Sequence, residues 1–363
     1  MAVTALALDA SSDPRPAQPV VSIAVPMLNE ARYILACLDS FAAQDYPLDH
    51  LDMMVIDGGS DDGSRIVVEA YAKEHPWVRV VDNPVGTAAA AFNVGMYEAH
   101  GQVVCLFSSH GVADPTFVSA SVDALHRSGA AGVGGEYRHE GTDPRSASIG
   151  AAMVSPVGMA SPHRFASEAR DVDTISHPVY WRDAMLATGP FDEALKRNSD
   201  YEFNYRVRAG GERLHFDPAI GSVYRPRPTL NALFRQFWFY GKWKARVAER
   251  YPATLRPRHL VAPAAVVGAV AAPFALLVRP LRVPVAVVAG LYASLVALGT
   301  AKASRGRDDL HVPTLAAAFP VMHSAWGAGF LASTLRRLFG GPRLSSEQVS
   351  VSGPTSDSER NPT

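Results

Sequence analysis

The sequence predicts an α/β fold with a mostly parallel sheet, followed by an α-helical membrane region. Three observations predict it. Short apolar runs alternate with helix-length segments through roughly the first third of the chain, a spacing that calls for crossovers between parallel strands. One of these runs, Leu51-Asp-Met-Met-Val-Ile-Asp57, passes straight into Gly-Gly-Ser-Asp-Asp-Gly-Ser64, a strand entering a glycine turn and then a helix. Near the end lie three long apolar stretches, the first two close to the roughly 20 residues that cross a bilayer.

In chain order, strands are predicted at 20–25, 53–56, 78–81 and 103–107. Each is rich in Val, Ile, Leu or Met and stops at turn-forming residues. Helices are predicted at 31–43, 65–74, 87–97 and 115–126; the first has Leu35 and Leu38 on one face, and the third is rich in Ala. The pattern then becomes irregular. Strands at 132–137, 179–181, 214–216 and 223–224 and helices at 146–153, 182–188 and 202–209 are short. Residues 230–251 form a strong helix that mixes aromatics and cations, among them Phe234, Trp238, Lys242, Trp243 and Lys244. No internal repeat is visible.

A chain of 363 residues suits one large or two smaller domains. The net charge of −1 implies no general attraction to nucleic acid, and no nucleic-acid partner is expected. Cys37 and Cys105 are the only cysteines, so no disulfide framework is expected and a reduced, cytosolic main domain fits. Residues 1–19 lack a basic segment before an apolar core and read as a disordered leader rather than a signal peptide. Residues 336–363 read as a disordered tail, rich in Ser, Pro and charge from 342 on. Between them the sequence divides into a sheet domain, 20–252, and membrane-associated helices, 253–335.

The apolar stretches are 259–278, 283–301 and 312–333, the third weakened by His323 and Trp326. Ala, Val and Leu run on in them with almost no charge, which predicts membrane association. Many cations between Arg225 and Arg258 precede the first stretch, so the positive-inside rule puts the sheet domain in the cytoplasm. The short connector Arg279-Pro-Leu-Arg282 makes the first two stretches a hairpin. The connector 302–309 is also basic, and charge counting leaves the side of the C-terminus open.

Two strand-to-loop junctions carry the chemistry. In open α/β sheets, ligands sit at the carboxyl ends of strands. Asp57 ends one strand and can accept hydrogen bonds from a base or ribose, while the glycines after it let the backbone approach a ligand closely. The other junction is Val25-Pro-Met-Leu-Asn-Glu30. Together they suggest a nucleotide pocket.

With Asp57-Gly-Gly-Ser-Asp-Asp-Gly-Ser64, Asn83-Pro84, Ala90-Ala-Phe-Asn-Val-Gly95, Phe191-Asp-Glu193, Asn198-Ser-Asp-Tyr-Glu202 and the segment from Gln236 to Trp243, the chain resembles a family 2 glycosyltransferase of the GT-A fold. It is most similar to the membrane-bound bacterial enzymes of exopolysaccharide assembly, the succinoglycan glucosyltransferase type. The resemblance runs from about residue 20 to 329. It implies a GT-A, Rossmann-like domain that transfers a hexose with inversion. The donor would be a nucleotide-diphospho-sugar and the acceptor a lipid-linked or polysaccharide hydroxyl. The setting would be the bacterial inner membrane, with the catalytic domain cytoplasmic and exopolysaccharide assembly proteins as further partners.

Such chemistry needs a donor pocket, stabilisation of the departing diphosphate and a base. The expected donor-binding residues are Pro26, Asn29, Glu30, Asp57, Ser60, Asn93, Ser108 and Ser109. Asp61 and Asp62 belong either to that pocket or to the cap of the next helix. Asp200 aligns with the second acidic residue of the family's Glu-Asp pair and is the expected catalytic base. Glu202, Gln236 and Trp243 are expected on the acceptor side; the helix around 234–246 either contacts the acceptor or lies in the membrane interface.

Two positions depart from the family pattern. Ser199 stands where the Glu of the pair is expected, and Ser108 replaces the first Asp of an Asp-x-Asp or Asp-x-His metal motif. That leaves His110, with Asp114 nearby, to hold a divalent cation. Hard cations prefer carboxylate oxygens, and an imidazole suits Mn²⁺ better than Mg²⁺. Pro162, His163, Arg164, Arg170, Asp171 and His177 are expected between the donor and acceptor halves, where cations could neutralise the diphosphate without a metal. The competing reading is a catalytically impaired GT-A-like module that binds a nucleotide-sugar or partner proteins as a scaffold. A nucleotidyltransferase fits less well, because residues 26–34 hold no glycine and only one cation, Arg32.

Overall fold

The computed structural model describes residues 15–158 and 168–340. Pro162, His163 and Arg164 lie outside the described residues, as do most of the leader and the tail. The first third alternates as the sequence predicts: β1 (Val21–Met27), α1 (Ile34–Ala42), β2 (Leu51–Asp57), α2 (Ser64–Glu74), β3 (Val78–Asp82), α3 (Ala88–Glu98) and β4 (Val103–Leu106). Then come β5 (Gly111–Ala113), α4 (Phe117–Ser128), β6 (Gly132–His139), α5 (Pro144–Val154), β7 (Arg170–Asp171), β8 (Val179–Trp181), α6 (Arg182–Thr188), α7 (Ser199–Ala209) and β9 (Leu214–Tyr224). Four long helices close the described chain: α8 (Leu230–Arg250), α9 (Arg258–Ala275), α10 (Arg282–Ser304) and α11 (Val312–Leu338).

The sheet order is β3-β2-β1-β4-β8-β6-β9-β5, with β7 on β9. From β3 to β4 all pairings are parallel. Beyond β4 the sheet is mixed. β8 runs antiparallel to both β4 and β6, β9 runs parallel to β6, and β5 and β7 run antiparallel to β9. Two reversals restore direction, so β6 and β9 end at the same sheet edge as β1, β2 and β4.

Alternation along the strands sorts the core into two layers. Val21, Ile23 and Val25 of β1 pack with α1, α2 and α4, while Ala24 joins Met54, Ile56, Val104 and Leu106 against α3, α6 and α7. Burial on both faces is why these runs are apolar throughout. The α1 stripe is Ile34, Cys37, Leu38 and Phe41. Leu35, expected beside Leu38, is 48% exposed; it is one residue, about 100° of helix, off that stripe. The strands expected at 214–216 and 223–224 are one strand, β9, whose register against β6 slips between Gly134 and Glu136. The three-residue β5 was not expected.

A third core binds the late helices to the domain: Ile149 of α5, Leu233 and Phe237 of α8, Ala262 of α9, and Leu315 and Phe319 of α11. α8 and α11 touch backbone to backbone. A Cβ on Gly241 would lie 2.0 Å from the Trp326 carbonyl oxygen, and one on Gly329 would lie 2.1 Å from that of Trp238. Small residues permit this approach. α9, α10 and α11 are each long and apolar enough to cross a membrane, by length and composition. The α9 and α10 surfaces are largely bare, whereas half of the apolar window of α11 is covered by protein.

Candidate active site

The loops after β1 and β2 are stitched to one another. The Asp57 Oδ1 accepts from the Ser60 backbone N–H (3.1 Å) and hydroxyl (2.7 Å), and the Ser60 Oγ accepts from the Asn29 N–H (3.0 Å). The Asn29 Oδ1 accepts from the Asp61 N–H at 2.9 Å. Asp62 accepts from the Ala31 N–H (3.0 Å) and the Ser64 N–H (2.9 Å), and the Ser64 Oγ accepts from the Glu30 N–H (2.8 Å). Hydrogen bonds, the Ser64 hydroxyl first, hold the Asp62 carboxyl below its ordinary range. Asp62 therefore clamps two loops, a wider role than capping α2. Asn29 takes a left-handed backbone, φ 58°, tolerable for Asn. Pro26 lies two residues beyond the last β1–β4 pair, Ala24 with Leu106.

The segment after β4 joins this edge. His110 Nδ1 lies 3.2 Å from Glu30 Oε1, and the His110 ring lies 5.6 Å from that of Tyr224 at the end of β9. The Ser108 hydroxyl, expected to meet the donor, is engaged by His177 Nε2 at 2.8 Å, and His177 Nδ1 lies 3.0 Å from the Ser222 Oγ. Ser109 is buried. His177 is itself buried rather than presented between two halves of a cleft. Arg170 and Asp171 form β7 at the far end of β9, where Asp171 holds Arg213 and His215. Asp114 is taken by a bidentate pair with Arg138, at 2.5 and 2.8 Å.

Four further expectations are corrected. Asn93 does not face the donor: its amide brackets the Phe191 backbone N–H (2.7 Å) and carbonyl (3.0 Å) and donates to Glu193 (2.8 Å). It positions the loop that leads to α7. Glu202 is 1% exposed and held by the Arg206 guanidinium at 2.7 and 3.1 Å, so it is not an acceptor contact. Trp243 is buried with Leu195 and Val247. Asp200 stands on the first turn of α7, exposed, rather than ahead of the helix as the periodicity suggests. A helix N-terminus favours a negative charge there.

Gln236 reaches the strand edge from α8. Its Nε2 donates to the hydroxyls of Tyr224 and Tyr240, both at 2.9 Å, and its buried Oε1 has no partner. Burial pushes the Tyr224 phenol up to about 12. The Asn198 Nδ2, just before α7, lies 3.4 Å from the Tyr240 carbonyl oxygen. A chain of contacts thus runs from Glu30 through His110, the Tyr224 ring, Gln236 and Tyr240 to Asn198, just ahead of the helix that carries Asp200. No sequence pattern assigns Tyr224 or Tyr240 a role, and Asn198 enters only as the start of the motif that carries Asp200. A tyrosine ending a strand looks like core, and only the aromatic density of residues 230–251 pointed toward Tyr240.

Among the described residues no three His, Cys, Asp or Glu side chains converge as a metal site. At this strand edge Glu30 and His110 form a carboxylate–imidazole pair. Burial pushes both cysteine thiols far up, which leaves them inert.

The profile of glycosyl transferase family 2 matches residues 22–186. The succinoglycan biosynthesis protein ExoA of Rhizobium meliloti (strain 1021) is 30% identical over 311 residues, 85% of this chain and 93% of that protein. A dolichyl N-acetyl-alpha-D-glucosaminyl phosphate 3-beta-D-2,3-diacetamido-2,3-dideoxy-beta-D-glucuronosyltransferase of Methanococcus voltae is 27% identical over 62% of this chain and 72% of its own length. Among solved structures, the mannosyltransferase PcManGT of Pyrobaculum calidifontis, in complex with GDP-Man and Mn²⁺, superposes with a TM-score of 0.55. It shares 19% identity and covers 89% of this chain and 88% of its own, a likeness of fold. A relative 30% identical along nearly its whole length, together with the matching profile, makes this chain a member of glycosyl transferase family 2.

Proposed function

We propose that the protein moves a hexose, with inversion, from a nucleotide-diphospho-sugar to a lipid-linked or polysaccharide hydroxyl at the cytoplasmic face of a bacterial membrane. One observation carries this reading. The stitched loops of β1 and β2, the His110 segment and the contacts through Gln236 to Asn198, two residues before Asp200, meet at one sheet edge. The names of the relatives support exopolysaccharide or envelope glycan synthesis, and nothing in them favours a scaffold.

In this reading the loops of Asn29, Asp57 and Ser60 form the wall for the base and ribose. Asp200 takes the proton from the acceptor hydroxyl. That oxygen's electron pair forms the new bond at the anomeric carbon from the side opposite the diphosphate. The bond to the diphosphate breaks, and its pair leaves with the phosphate oxygen. Gln236 offers its unpartnered Oε1 to an acceptor hydroxyl. Arg197 and Arg227 put positive charge near the Tyr224 hydroxyl and so near the departing anion. A divalent cation would rest on Glu30 and His110, with phosphate oxygens and water completing its shell; it would neutralise diphosphate charge.

Asp200→Asn tests the base. Turnover is expected to fall by roughly 10²–10⁴-fold, with the dissociation constant for the nucleoside diphosphate nearly unchanged. Full turnover in the variant removes Asp200 from the mechanism. A wild-type protein that neither binds nor consumes any nucleotide-sugar overturns the function.

A further inference from the structure

Between the second half of α8 and the last turns of α11 lies a pocket of about 230 Å³, lined by Trp238, Lys242, Arg246, Glu249, Arg336 and Arg337. Four cations meet one carboxylate there. Arg337 takes that carboxylate, its Nε 3.2 Å from Glu249. Among the described residues, Lys242, Arg246 and Arg336 have no carboxylate partner. Partial burial first, then Arg246, Arg336 and Lys196, make the Lys242 ammonium less basic than usual. An anion in the pocket relieves this mutual repulsion.

The surroundings identify the anion. On the last turn of α11, Leu335 is 50% and Leu338 is 73% exposed, and Phe339 just beyond is 86% exposed. Phe239, on α8 between Trp238 and Lys242, is exposed as well. A free phosphate gives these apolar side chains no partner. A bilayer surface does: acyl chains receive the apolar groups while headgroup phosphates meet the cations. α11 also packs against α9, one of the two bare apolar helices. The geometry points to this pocket as a site for the phosphate headgroup of an anionic membrane lipid, separate from the donor cleft. It stands apart from the glycosyltransfer reading, because it uses none of the residues assigned to that chemistry.

The test uses the full chain in a neutral detergent, its melting temperature followed against added phosphatidylglycerol, phosphatidylcholine of the same chain length, or inorganic phosphate. Phosphatidylglycerol is expected to give a saturable rise that the other two do not. Lys242→Gln and Arg336→Gln should each raise the lipid concentration for half the rise by about fivefold, and Lys242→Arg should not. Lipid phosphorus carried through purification gives a second readout, expected to drop in the doubly substituted protein. It applies even where a variant melts early. An equal rise with phosphatidylcholine, a rise with phosphate alone, or an unchanged response and phosphorus content in the double variant overturns the assignment.

Discussion

Gln236 ties two tyrosine hydroxyls with one amide nitrogen and leaves a buried carbonyl oxygen with no partner. An orphaned buried acceptor costs about 1–3 kcal/mol, and such a group in a native protein asks for an explanation. Under the proposed function, an acceptor hydroxyl that reaches it supplies one. Gln236→Leu should lower kcat/KM for the acceptor at least tenfold, on the order of one good hydrogen bond, and leave nucleotide affinity alone. Separate titrations of acceptor and nucleotide check this, and equal loss in both contradicts it. Lys244 is a second residue with a legible signature. Its Nζ donates to the Thr254 carbonyl at 2.9 Å and sits 3.8 Å from the Tyr201 ring centre. Burial, then Arg258 and Arg256, push its ammonium down to about 7 from an ordinary 10.5. Between those two values the unfolded chain holds more protons than the folded one, so stability rises with pH across that window. Below about 7 both states are protonated and the folded state bears the full cost of the buried cation. Lys244→Met should flatten the rise, read as melting temperature at intervals from pH 7 to 10.

At the scale of elements, the α8–α11 crossing depends on two glycines. Gly329→Ala would put a methyl group into the Trp238 carbonyl and should destabilise the protein by about 1–3 kcal/mol; thermal melting measures it, and a neutral outcome means the helices can slide apart. The early elements were legible because parallel strands buried on both faces read as continuous apolar runs, and β1 to β4 are of that kind. Past β4 the signal fades for a physical reason. β8 matches the strand expected at 179–181, but β5 is only three residues long, too short for an alternation to stand out, and β9 carries Asp217 and Pro218 through a register slip that looks like a loop. The site divides in the same way. Asn29, Asp57 and Ser60 lie within one short turn of their strands, and their cluster shows in the sequence. Asn93 and Glu202 carry suggestive chemistry that other partners turn to structural use, Phe191 nearly a hundred residues on and Arg206 one helical turn on. No local pattern announces Phe191, whereas the i,i+4 spacing of Glu202 and Arg206 was open to reading.

Over the whole molecule, both ends of the α9–α10 pair lie against the catalytic domain. The Thr254 carbonyl holds Lys244 of α8, and beyond α10 the His311 backbone N–H donates to the Ser148 hydroxyl of α5 at 2.8 Å. The two helices therefore leave and return on one side. Cysteines placed at Ala253 and Arg305 should both react with a membrane-impermeant maleimide from the same side of sealed vesicles, against a background in which Cys37 and Cys105 are buried. Labelling from opposite sides would rule out the hairpin. α11 adds a temporal consequence. Residues 312–338 complete the packing of residues 230–250, yet the ribosome makes them only after the residues of the α9–α10 hairpin. A nascent chain halted before α11 holds its nucleotide loops while the helix bearing Gln236 lacks its support. Under the proposed function, synthesis order delays sugar transfer until α11 has been made.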